Sequence, residues 1–265
     1  MSSLQNLIKN EYAKLFKRKR TWLMFGSLVA INVVAGFVAY RYLQGNTVPI
    51  ANRSLWGFVA MLQNGSILIV LYSLAIASSI VSSEFALGTI KFLMIRPVSR
   101  TKLLLSKMLT VLSLIILFYL TLFVCSCLAG GLAYGFSSPI QAGTAADLDT
   151  ADSFYTAIKA YAYGMIETVM FAALAFMFSV LARSTSLAMG IALPLYMLGG
   201  LSNLLIAKYG WSRYWLFVNL DLEMYDRGLP FQAGMTLGFS LTVLAVYLAL
   251  FVAISFVVFQ KRDIV

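Results

Sequence analysis

Charged residues are absent from five long windows of the chain: 21–40, 54–83, 108–146, 184–207 and 228–260. A sixth window, 160–182, holds one charge, Glu167. About 20 consecutive apolar residues carry a helix across the hydrocarbon core of a bilayer, so each window accommodates one crossing. The third is long enough for almost two, but its second part holds Ser137, Ser138, Pro139, Gln141 and Gly143 and reads as a loop. Spans are expected near 22–43, 56–82, 106–134, 156–182, 186–207 and 233–259. The fold class is therefore an all-α polytopic membrane protein, a single transmembrane domain over 1–265. Only 11% of the 265 residues are charged, against roughly 25% in soluble domains, which excludes a soluble globular chain.

The net charge of +10 belongs to membrane topology rather than to nucleic acid. With the N-terminus inside, fourteen of the twenty Lys and Arg residues fall in inner segments and six in outer ones. That asymmetry places both termini in the cytoplasm. A basic flank precedes the first span and no A-x-A site follows a short apolar core, so no cleavable leader is expected. Cys125 and Cys127 are two apart in one apolar run, point to different helix faces and read as packing residues. The chain shows no internal repeat of the kind secondary transporters carry.

Five segments stand out as carriers of function. In 3–20, Leu4, Leu7, Ile8, Tyr12, Leu15 and Phe16 recur at steps of three and four, while Asn6, Lys9, Asn10, Lys14 and Lys17 take the other faces. This predicts an amphipathic helix lying on the inner leaflet, with Trp22 as its interfacial anchor. The stretch 82–108 is too charged to span and too apolar for a solvated loop. Pro97 should end a first short helix there, and Ser99 should cap a second that runs into span three. An apolar cytoplasmic helix with a basic rim calls for a protein partner. Glu167, mid-span, is the candidate route-lining residue for a cationic or polar passenger, or else a structural glutamate. The aromatic segment 208–230 suits the outer interface, or short helices dipping into the outer leaflet. Span five carries Gly190, Pro194, Gly199 and Gly200, with small residues at four-residue spacing that permit close helix approach.

In their order along the chain these features resemble the permease subunit of an ABC type-2 exporter. The resemblance is carried by the basic amphipathic N-terminal helix and by six spans with both termini inside. It is carried also by Glu84, Gly88, Thr89, Arg96, Pro97, Val98, Ser99, Arg100 and Lys107 between spans two and three, and by the aromatic segment before span six. It implies that Glu84, Gly88, Thr89, Arg96, Pro97 and Arg100 form the segment coupled to a nucleotide-binding ATPase subunit. It further implies a second permease copy or homologue, with span five near the dimer contact, in a bacterial plasma membrane. ATP and magnesium would be held by the partner, because no G-x-x-x-x-G-K-[ST] phosphate loop is present. No large extracellular domain is present either, which argues against a mechanical, lipoprotein-type role.

Two rival classes follow from the same residues. One is an ATP-independent sensor or immunity protein that binds a membrane-active peptide at the outer aromatics. The other is a secondary transporter using Glu167. An intramembrane enzyme is disfavoured. With no histidine, Ser-His and His-metal sites are excluded, and Glu167 has no second deep carboxylate for paired acid–base work. No catalytic residue, metal site or bound cofactor is expected on this chain.

Overall fold

The structure, a computed structural model, describes residues 4–43, 55–88, 99–134, 150–182 and 184–261. Among them every regular element is helical: α1 (Leu4–Phe16), α2 (Lys19–Leu43), α3 (Leu55–Leu62), α4 (Ser66–Ile80), α5 (Ser82–Ala86), α6 (Arg100–Tyr134), α7 (Thr150–Ala182), α8 (Thr185–Ile206), α9 (Leu216–Leu220), α10 (Glu223–Asp226) and α11 (Leu237–Lys261). Two 3-10 turns, Gln63–Gly65 and Gly210–Tyr214, complete the described elements.

Six stretches are long and apolar enough to cross a membrane: Lys19–Arg41, Leu55–Ala86, Arg100–Ala133, Phe154–Ala182, Thr185–Ile206 and Leu237–Lys261. The second is composite, assembled from α3, a 3-10 turn, α4 and α5. The third starts six residues before the expected span, because the helix expected to begin at Ser99 runs straight into it, with Lys102 and Lys107 both inside. Ser99 sets that start, accepting the Lys102 N–H at its Oγ (3.3 Å) and the Leu103 N–H at its carbonyl (3.1 Å), as an N-cap does. The sixth begins at Leu237, after a turn closed by Met235 N–H on the Gln232 carbonyl.

The chain divides into two compact units. One comprises Met1–Leu15, Val70–Ile115 and Ile166–Val265; the other comprises Phe16–Ile69 and Ile116–Met165. In the second, Gly36 lets α2 approach α6: a Cβ there would stand 2.9 Å from the Ala129 Cβ. Ser126 and Tyr161 share a buried hydrogen bond at 2.9 Å, and Phe123 meets the Tyr161 ring edge-on. In the first unit, α9 packs against α8 and α11. A small core of Val218, Met224 and Met235 forms beneath Trp215, Tyr225, Phe231 and Phe239. The aromatic segment 208–230 is thus a set of short folded elements, with Trp211 and Tyr214 left exposed.

Candidate functional site

The first unit contains a cluster of four charges drawn from three elements. It starts with α1, whose buried residues are Leu7, Glu11 and Leu15. Steps of four bring these onto one face, so a carboxylate lies in the middle of the apolar stripe. The sequence reading put Leu7 and Leu15 on that stripe and passed over Glu11 between them.

Glu11 finds two ammonium groups. Lys14 Nζ, one turn along the same helix, lies 3.0 Å from Glu11 Oε1, and Lys107 Nζ of α6 lies 3.1 Å from Glu11 Oε2. Both lysines also reach Glu84 Oε1 of α5, Lys14 at 3.0 Å and Lys107 at 2.8 Å. Lys107 donates further to the Ile80 carbonyl at 3.1 Å, at the C-terminal end of α4. An ammonium carries three N–H donors and no acceptor; these three oxygens match it. The Lys107 side chain is 1% exposed, while Lys14 is half-exposed at 46%. Two positive and two negative groups leave the cluster formally neutral, the arrangement under which buried charge is tolerated.

Burial opposes the charge on Glu11, but Lys107 and Lys14 outweigh it and hold the carboxyl below its ordinary range. Burial likewise opposes the Lys14 ammonium, yet Glu84 and Glu11 hold it above its ordinary value.

The proposed coupling positions separate into distinct environments. Glu84 is a member of the charge cluster. Gly88 ends the helical stretch in the left-handed region at φ +66°, its N–H bonded to the Phe85 carbonyl at 3.1 Å; glycine takes that conformation at no steric cost. Arg100 donates to the Gln260 carbonyl at 3.0 Å, near the end of α11, and Gln260 Nε2 donates back to Thr101 Oγ1 at 3.2 Å. Thr89, Arg96 and Pro97 lie outside the described residues. Trp22 is 63% exposed and donates its indole N–H to the Phe16 carbonyl at 2.9 Å, at the last residue of α1. Glu167 on α7 is half-buried, and its electrostatic neighbours are Asp221, Glu223 and Tyr196. Among the described residues no group of three or more His, Cys, Asp or Glu is placed to hold a metal ion.

Sequence reading missed Glu11, Lys14 and Lys107 as a set. The available signals were a charged residue in line with an apolar stripe and a lysine one helical turn beyond it.

The chain is 33% identical to the Bacillus subtilis (strain 168) protein named "Uncharacterized protein YhcI", over 98% of this chain and 99% of that one. It is 29% identical to "Uncharacterized membrane protein YdbK" of the same organism, over 95% of this chain and 99% of that one. Six apolar helices of crossing length, together with a relative named as a membrane protein, make this a multi-pass membrane protein. Residues 22–265 match the model of a family described as "Protein of unknown function (DUF2705)". On that match, which takes in Glu84 and Lys107 of the charge cluster, the chain belongs to the DUF2705 family.

Proposed function

We propose that this chain is the membrane-spanning subunit of an ATP-driven exporter in a bacterial plasma membrane. It forms the substrate route and couples to a separate ATPase chain that holds ATP and magnesium. The observation that carries the proposal is the charge cluster. Glu11 and Lys14 come from the N-terminal helix, and Glu84 and Lys107 from the ends of spans two and three. Glu84 lies in the segment that the resemblance to ABC type-2 permeases assigns to the ATPase contact, and four ion pairs join it, the N-terminal helix and Lys107 into one base. A push on any of them is delivered to the ends of two spans at once. The chain does no covalent chemistry in this reading, and both termini face the cytoplasm, in line with the lysine and arginine bias.

The test is affinity purification of the tagged chain in mild detergent, with mass spectrometry of what co-elutes. A stoichiometric subunit carrying a phosphate-loop ATPase sequence is the expected result; elution of this chain alone from lipid nanodiscs overturns the reading. Charge reversal at Arg96 and Arg100 together is expected to abolish stimulation of the ATPase by the permease while leaving membrane insertion intact. Unchanged stimulation would remove those two positions from the coupling segment.

A second reading, ion-coupled transport, is favoured by the environment of Glu167, a half-buried carboxylate with Asp221 and Glu223 as its charged neighbours. In that case Glu167→Gln abolishes dependence on the proton gradient, and no ATPase co-purifies.

A further inference from the structure

Span two is interrupted near one end. α4 stops at Ile80 and α5 starts at Ser82, with Val81 between them at φ −105°, ψ −48°. A break inside an apolar crossing frees backbone groups that lipid cannot satisfy. Here side chains of two other spans take them up. Ser179 Oγ, on α7, accepts the N–H of Val81 at 3.3 Å and of Ser82 at 3.0 Å. Lys107 Nζ, on α6, donates to the Ile80 carbonyl at 3.1 Å. Ser82 Oγ donates to the Ser78 carbonyl at 2.6 Å and shares a bond with Thr185 Oγ1 of α8 at 2.9 Å.

Beyond the break, α5 has five residues, too few to be stable by itself. Its Glu84 is tied to Lys14 of α1, which is tied in turn to Glu11. Lys107 holds both of those carboxylates and the carbonyl at the break.

We propose that α1 and α5 form one lever, joined by the four charges and pivoting at Val81, and that Lys107 and Ser179 are the positioning residues that lock it. The inference rests on the exporter reading only for what pulls the lever. Turning at Val81 draws Glu84 and Glu11 away from one ammonium together, while the Ile80 carbonyl stays with α4 and Lys107; packed interfaces switch between discrete arrangements rather than deforming by degrees. Lys14 keeps Glu11 and Glu84 together once Lys107 has released them, and its half-exposed side chain leaves it free to travel with them.

The test is hydrogen exchange followed by mass spectrometry on the purified chain in lipid nanodiscs, with no other protein present. Ser179→Ala removes the acceptor at the pivot and leaves all four charges in place. Exchange is expected to speed up by the same factor in residues 4–16 and 82–88, about tenfold, equivalent to about 1.4 kcal/mol. Acceleration in 82–88 alone, or in neither segment, overturns the lever. Lys107→Met, verified as a monodisperse species, is the second variant and is expected to release both segments; unchanged protection of residues 4–16 overturns the lock. Absence of an ATPase in the purification removes the exporter reading and leaves the exchange result standing. Full protection in both variants removes the lever whatever co-purifies.

Discussion

A lysine side chain with 1% of its surface exposed needs an oxygen for each N–H it buries, and Lys107 finds two carboxylates and a helix-end carbonyl. Replacing it with methionine leaves Glu11 and Glu84 buried with Lys14 alone. Removing one partner from a buried ion set costs about 3–5 kcal/mol, whereas replacing the whole set with neutral groups is close to neutral. Lys107→Met is therefore expected to lower the thermal midpoint of the purified chain markedly. The triple variant Glu11→Gln/Glu84→Gln/Lys107→Met is expected to recover most of that loss. A triple variant as unstable as the single one would show that volume, not charge, holds the site.

The pH dependence follows from two groups. Glu11 is held below 4.5, so its contribution is fully present above 4.5 and is lost as the pH falls through the lower folded value. Lys14 is held above 10.5, so its contribution is fully present below 10.5 and is lost as the pH rises through the higher folded value. Exchange in residues 4–16, corrected for its intrinsic pH dependence, is expected to be flat between these limits and to rise outside them. A transition near neutrality would mean that another group governs α1. Little of this pairing was legible in the sequence. Glu11 and Lys14 stand three apart on one helix, but Glu84 and Lys107 are far from them in the chain. Burial and pairing are properties of the fold, and a stripe interrupted by one carboxylate, with a lysine one turn on, was the local trace.

At the scale of elements, the segment 208–230 behaves differently from the spans. Asn219 is fully buried; its amide donates to the Arg213 and Trp215 carbonyls at 2.8 Å, and its Oδ1 accepts the Ser240 hydroxyl at 2.7 Å. It fastens the 3-10 turn and α9 onto the start of α11. Asn219→Ala orphans those groups, at a local cost of about 1–3 kcal/mol for each buried polar atom left unpaired. Exchange in residues 210–235 is expected to accelerate while residues 4–16 and 82–88 keep their protection. Acceleration in all three would mean that the aromatic segment and the charge cluster unfold together. The spans were legible because each is a long run of one character. The segment 208–230 was legible only as a choice between interfacial anchoring and short helices, because short elements joined by turns carry no sustained period. Its elements are short helical turns, and Trp215 packs over a small core and donates its indole N–H to Ser202 at 2.8 Å. The break at Val81 was equally hidden: serines around it suit a helix interior as readily as a pivot, and only the Ser179 contact distinguishes the two.

At the scale of the whole molecule, the similarity to the two Bacillus relatives runs along nearly their full length and is not confined to one segment. If the chain transports as proposed, Glu167→Gln is expected to change that transport while leaving the amount of protein in the membrane unaltered. Normal transport in that variant would return Glu167 to a structural role. The charge cluster also imposes an order on synthesis. Ninety-six positions separate Glu11 from Lys107, so the first carboxylate leaves the ribosome long before its buried partner exists. Two spans are threaded into the bilayer during that interval. α1 therefore waits without its buried partner until span three arrives and the four charges close. A chain released before span three is complete would carry an undocked arm, and one released after it would not, so nascent chains cut at successive lengths would reveal the step at which α1 becomes protected.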